Sequence, residues 1–217
     1  MQNERKYLNF ILCLAILFVL SAPQQIMAKP TAITEDLKQT INQVIEILKD
    51  EKLKEDPAER RKILRETIDK RFNYKQMAHR ALAKNWGPRS PEEREEFTQL
   101  FRDLLERSYA SKIESFGGGE IRYIDEIIKG KYALVKTQVH QYGKYVSLDY
   151  KMILENGEWK VYDFVIKGVS MIRNYRTQFS KTLREKSFKE LMEILAQSVE
   201  NKSVLGMAPQ RGDEMGG

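Results

Sequence analysis

The chain is poor in the residues from which catalytic and metal centres are most often assembled. It has one cysteine, Cys13, and two histidines, His79 and His140, in 217 residues. Cys13 lies in an apolar run near the N-terminus and follows Leu12 rather than the small residue that lipid attachment favours. If that run is removed, no disulfide can form, and a zinc site would have to be built mainly from carboxylates, which is uncommon for zinc. GxSxG, HExxH and phosphate-cradling glycine loops are absent. The apolar run itself, Phe10 to Leu20, is too short to span a bilayer comfortably.

What is present begins with that run. Arg5 and Lys6 precede it and Met27-Ala28 closes it, giving the three parts of a cleaved secretory leader over residues 1–28. Pro23 and the polar residues after it argue against the alternative, a retained membrane anchor, although Ile26 is not the small residue usual three positions before the cut. Loss of Glu4, Arg5 and Lys6 lowers the formal net charge from +6 to +5. A mildly basic surface suits an anionic partner such as nucleic acid, phospholipid headgroups or an acidic protein, and export largely removes nucleic acid from that list. The remaining length predicts one domain, residues 29–202, held together by its core alone. Residues 203–217 are small, polar or glycine without periodicity and are predicted to be a disordered tail.

Thr34 is placed to cap a first helix with the stripe Leu37, Ile41, Val44, Ile45, Leu48. Asp56-Pro57 starts a second helix through Ile63, Leu64 and Ile68. A short helix after Phe72 puts Met77, Ala81 and Leu82 on one side and ends at Gly87-Pro88. Ser90-Pro91-Glu92-Glu93 is a capping box with proline at the first helical position. The stripe behind it (Phe97, Leu100, Phe101, Leu104, Leu105, Tyr109, Ile113) is broad, and Gly117 to Gly119 end it.

Strand periodicity follows. A short strand lies around Ile121 to Ile127, then apolar residues alternate along Val135, Thr137 and Val139 and along Val146, Leu148, Tyr150, Met152 and Leu154. Tyr142-Gly143 and Asn156-Gly157 are turns, the latter a strong type I′ hairpin signal. The last strand, Trp159 to Ile166, is apolar on both faces and calls for cover on both, by protein or by something else. Gly168 marks a sharp turn, and Ser170 caps a helix carrying Ile172, Tyr175, Phe179 and Leu183. A final helix holds Phe188, Leu191, Met192, Ile194 and Leu195. The predicted class is α+β: a curved four-stranded antiparallel meander covered by a mostly N-terminal helical layer, with C-terminal helices.

Chemistry is sparse on this frame. His79 sits beside Arg80, and His140 shares a strand face with Lys136 and Gln138; little else converges on either. Strict alternation puts Asp163 on the face of Trp159 and Val161, where a carboxylate needs a partner such as Arg173, Arg176 or a tyrosine hydroxyl. It reads as a tie between strand and helix, or, paired with a tyrosine, as the one plausible acid-base site. The aromatics Phe101, Tyr109, Tyr150, Trp159, Tyr162, Phe164 and Tyr175 fit either an ordinary core or a lined cavity.

Three blocks carry a resemblance: FNYKQMAHRALAKNW, SPEEREEFTQLFRDLLERSYASKIESF and GEWKVYDFVIKGVSMIRNYRTQF. They closely resemble the periplasmic phospholipid-binding proteins of the Mla lipid-transport pathway, the MlaC or toluene-tolerance auxiliary family, over about Ile33 to Leu195. A paralogous lipid-binding group associated with hopanoid biosynthesis looks similar. Ala83 stands where the family pattern has glycine, and Lys186-Ser187-Phe188 replaces a glycine-containing turn.

The resemblance implies a shuttle rather than an enzyme, without a cofactor. It would hold phospholipid tails in a cavity between sheet and helices and exchange cargo with an outer-membrane lipoprotein complex and an inner-membrane ABC transporter complex. Carried over by position, the lining is Leu82, Leu104, Leu105, Tyr109 and Tyr175 from helices. From the sheet and its exit it is Val139, Val146, Leu148, Tyr150, Trp159, Val161, Val165 and Val169. Lys167 or Arg173 would meet the phosphate. The competing readings are a cone-shaped α+β enzyme centred on Asp163 and a periplasmic adaptor with a solid core.

Overall fold

A computed structural model describes residues 32–200 apart from residue 142. The predicted leader at 1–28 and tail at 203–217 lie outside the described residues, as does Tyr142 of the first predicted hairpin turn. The element order is α1 (Ala32–Lys49), α2 (Glu51–Glu55), α3 (Pro57–Asp69), α4 (Tyr74–Leu82) and α5 (Pro91–Phe116). Then come β1 (Ile121–Lys129), β2 (Tyr132–Gln141), β3 (Lys144–Glu155), β4 (Glu158–Ile166), β5 (Val169–Ser170), α6 (Met171–Glu185) and α7 (Phe188–Glu200).

Helix boundaries follow their local chemistry. Ser90 accepts from the Glu93 amide, and the Glu93 carboxylate accepts from the Ser90 amide at 2.8 Å, the reciprocal cap expected of this sequence. Gly117, at φ +60°, stops α5 in the left-handed conformation that glycine adopts without cost. Asp56 caps α3 with Pro57 at its first position, and Ser187 and Glu190 form a second reciprocal cap on α7. Thr34 does not cap α1. The helix already begins at Ala32, and the Thr34 amide and hydroxyl both donate to Glu126 of β1, at 3.0 and 2.5 Å. The short helix α2, capped by Asp50, had no apolar periodicity to announce it.

The sheet is an antiparallel meander in the order β1-β2-β3-β4-β5, so it has five strands rather than four. The additional strand is the two-residue β5, folded back on β4 through Lys167-Gly168. Both turn residues have positive φ, +49° and +79°, as do Asn156 and Gly157 in the β3–β4 hairpin. On the far edge of β4, the Asn73 amide donates to the Val161 carbonyl and the Val161 amide to the Arg71 carbonyl, both at 2.8 Å.

The register pairs Ala133 with Met152, Val135 with Tyr150 and Val139 with Val146, which defines one face. Helices cover part of that inner face. Tyr150 opposes Phe164 and Met152 opposes Val161, so one extra residue is accommodated in β4 beside Tyr162. That bulge reverses the parity. Asp163 opposes Lys151 on the outer face and does not share a face with Val161 and Trp159, contrary to simple alternation.

Candidate functional site: a divided apolar interior

The buried side chains fall into two clusters. The first is built by helices: Met77, Ala81 and Leu82 of α4, Phe97, Phe101, Leu104 and Leu105 of α5, and Tyr175 and Phe179 of α6 with Leu191 and Leu195 of α7. Its rings meet edge to face, with Phe101 5.2 Å from Tyr175 and 5.5 Å from Phe179 between centroids. The second is smaller. Ile33 and Leu37 of α1 lie against Ala133, Val135, Met152 and Val161 of the sheet. Phe72 and Tyr150 are only partly buried and pack against both clusters.

The sheet's inner face is therefore sealed at one end and open at the other. Ala133, Val135, Met152 and Val161 are buried under α1, whereas Ile121, Val139, Val146, Leu148 and Ile166 farther along the same face are half-buried. The C-terminal part of α5 flanks that end with half-buried Ile113 and Phe116, and Ile45 and Lys49 of α1 approach Gly118 there. Gly118 has φ +81°, a left-handed backbone that favours glycine, and the Lys49 side chain lies over it. The ladder loosens here as well. The Thr137 amide donates to the Asp149 carboxylate at 3.2 Å, and its hydroxyl donates to the Leu148 carbonyl.

Among residues assigned to a lining from sequence, Leu82, Leu104, Leu105, Tyr109 and Tyr175 are buried in the helical cluster. Val161 is buried in the sheet cluster and Trp159 packs on its margin. Val139, Val146, Leu148 and Tyr150 share the half-buried stretch of the inner face. Val165 does not join them. It opposes Asp149 and Ser170 on the outer face, because the bulge displaces it along with Asp163. Val169 is 50% exposed at the β4–β5 turn. Lys167 and Arg173 are exposed near that turn. Not assigned to the lining from sequence, Phe72, Ile113 and Ile166 pack against the helical cluster, Tyr123 packs against the sheet cluster, and Ile121 pairs with Val139.

Polar groups in the interior are few and neutral. Burial raises the phenols of Tyr109, Tyr150 and Tyr175 above their ordinary range and pushes Tyr123 up to about 12, so all four stay protonated. Tyr109 donates to the Met171 sulfur at 2.8 Å and Tyr175 to Ser108 at 3.3 Å, while the shielded Tyr123 hydroxyl has no hydrogen-bond partner within the described protein.

Asp163, the suspected acid, is fully engaged. Its Oδ2 accepts from the Ser170 hydroxyl at 2.6 Å and from Lys151 at 2.9 Å, and its Oδ1 accepts from the Ile172 amide at 3.1 Å. Ser170 in turn accepts from the Arg173 amide, so the carboxylate clamps β4 to the N-terminus of α6. Lys151, not Arg173, Arg176 or a tyrosine, supplies the charge. Both faces of β4 thus carry protein, since Arg80 lies over the Tyr162 ring at 4.2 Å on the outer side. His79 lies tilted beside Trp86 and His140 beside Tyr145, and among the described residues no group of acids and histidines could hold a metal.

Comparison with known proteins agrees with this geometry. The model of the family described as MlaC protein matches residues 38–197. The intermembrane phospholipid transport system binding protein MlaC of Haemophilus influenzae is 28% identical over 153 residues, 68% of this chain and 72% of that protein. A solved structure of a phospholipid-binding protein from Ralstonia solanacearum, in complex with a phospholipid, superposes with a TM-score of 0.72 at 22% identity, covering 78% of this chain and 98% of the other. On the match across most of its length, the chain belongs to the MlaC family.

Proposed function

We propose that this protein is a phospholipid-binding carrier that takes single lipids across the aqueous space between two membranes. The observation that carries the reading is the half-buried apolar end of the sheet's inner face. A domain of this size ordinarily buries one contiguous core with smaller satellites. Here the sheet cluster is such a satellite, joined to the helical cluster through Phe72 and Tyr150, while the inner face farther along stays half-buried at Val139, Val146, Leu148 and Ile166. Acyl chains entering between Leu148, Val139, Val146 and Ile166 of the sheet and Ile113 of α5 would complete that packing. The names of its relatives point the same way.

The energetics set the direction of the argument. Each buried CH₂ is worth about 0.8 kcal/mol against water, so two long tails represent on the order of 25 kcal/mol. A bilayer shelters tails equally well, so net transfer between bilayer and carrier is near balance, and membrane partners must set its direction. The carrier needs no nucleotide site, cofactor or catalytic group of its own. We place it in the periplasm, released from its leader, exchanging lipid with an inner-membrane ABC transporter complex and an outer-membrane lipoprotein complex. The exposed Lys167 and Arg173 are our candidates for the phosphate, and the unpartnered Tyr123 hydroxyl is our candidate for an ester oxygen.

The test is solvent extraction and mass spectrometry of the purified mature chain. Phospholipid should co-purify at near one molecule per chain or load from vesicles. Absence of lipid under both conditions would overturn the proposal.

A further inference from the structure

The exposed apolar side chains are not scattered. Seven large hydrophobic residues are exposed among the described residues, and five of them lie in one region: Ile124 (55%), Ile127 (40%), Ile128 (50%), Tyr132 (38%) and Leu154 (36%). They follow β1 and round the β1–β2 turn on both faces of the hairpin: Ile128, opposing Ala133, is on the inner face, and Ile127, opposing Leu134, and Tyr132 are on the outer face. Leu154, opposing Trp159 on the inner face, is close to the turn, its amide donating to the Lys131 carbonyl at 2.9 Å. Gly130 at the tip, φ +57°, has no atom within 4 Å of a built Cβ, so the turn projects into open space. A hairpin end that exposes apolar side chains on both faces is suited to contact with another surface.

Its charges specify the surface. Lys129 and Lys131 flank Gly130, and neither makes an ion pair among the described residues; Lys131 lies 5.7 Å from the Tyr132 ring centroid. The nearby acids are already engaged, Asp125 by Lys136 at 3.0 Å, Glu126 by Thr34, and Glu155 by Asn73 and Gln76. Apolar residues at a projecting tip, a tyrosine at their margin and lysines whose stems can extend toward phosphates match a membrane interface. A docked β-strand fits less well. The register shift at Tyr123/Asp125 breaks the edge that such a strand would have to follow.

We propose that the β1–β2 hairpin, through Ile127, Ile128, Tyr132, Lys129 and Lys131, docks the protein on an anionic phospholipid bilayer. The contact is shallow and reversible, since two lysines and a few half-exposed side chains give marginal anchoring. It deepens the carrier reading by adding a direct membrane contact, on a surface away from the half-buried end of the sheet.

Flotation of the mature chain with vesicles tests it without depending on cargo. The wild type should rise with phosphatidylglycerol-rich vesicles at low salt, and much less with phosphatidylcholine vesicles or at high salt. The paired substitution Lys129→Gln and Lys131→Gln should weaken partitioning about twenty-five-fold, from about fivefold per lysine near an anionic surface. Ile127→Ser with Ile128→Ser should also reduce it while the circular dichroism spectrum stays unchanged. A wild type that stays in the aqueous fraction, or variants that float equally well, would overturn the assignment. Loss of binding to a purified membrane protein complex by the same variants, with no vesicle binding by the wild type, would overturn it in favour of a protein interface. Lipid content by mass spectrometry remains a separate readout, so failure here leaves the carrier reading standing.

Discussion

The helical cluster and the sheet cluster use similar side chains to opposite ends. Around Phe97, Phe101, Tyr175 and Phe179 every ring has protein on all sides, and each is fully buried. Along the inner face of the sheet, Val135 is as buried as any of these, yet Val139, four residues on, is not. The first arrangement spends its apolar surface on stability. The second leaves part of it unsatisfied, and a chain without disulfides can tolerate that because the closed cluster holds the fold. Stability and cargo binding should therefore be separable by mutation, which gives several ways to break the comparison.

The largest effect belongs to the closed cluster. Phe101→Ala should destabilise the protein by about 4 kcal/mol in urea denaturation, because a buried ring is lost and a cavity remains. Asp163→Ala comes next at about 3 kcal/mol, since it orphans the Ser170 hydroxyl, the Ile172 amide and Lys151 together. If Asp163 were instead an acid catalyst, its removal would leave stability nearly unchanged, which the same denaturation curve would reveal. At the open end, Leu148→Gln should cost only about 1 kcal/mol, half-buried as it is, while markedly lowering the phospholipid that co-purifies. The smallest effect has the opposite sign. Ala83 has φ +51° at the end of α4, and Ala83→Gly should stabilise by about 1 kcal/mol, visible as a raised Tm, with lipid content unchanged.

Ala83 also illustrates what the chain's sequence discloses. The pattern of the family marks that position for glycine, and the backbone supplies the reason in its positive φ. Local signals of this kind were legible throughout: the Ser90 cap, the Asn156-Gly157 hairpin and the Gly117 stop are each written in two or three adjacent residues. Long-range features were not. The bulge beside Tyr162 leaves no local mark, and it sends Asp163 and Val165 to the outer face where alternation put them inside. Thr34 has the chemistry of a cap, but its partner is Glu126, distant in sequence. The helix residues Leu82, Leu104, Leu105 and Tyr175, assigned to the lining, lie buried in the helical cluster, and periodicity carries no information on whether such a position meets protein or cargo.

The most direct measurement is native mass spectrometry of the mature wild type beside Leu148→Gln. The wild type should carry bound phospholipid, and Leu148→Gln should be folded and largely empty. A wild type without lipid after incubation with vesicles, or a Leu148→Gln protein as fully loaded as the wild type, would contradict a cargo site at the half-buried end of the sheet.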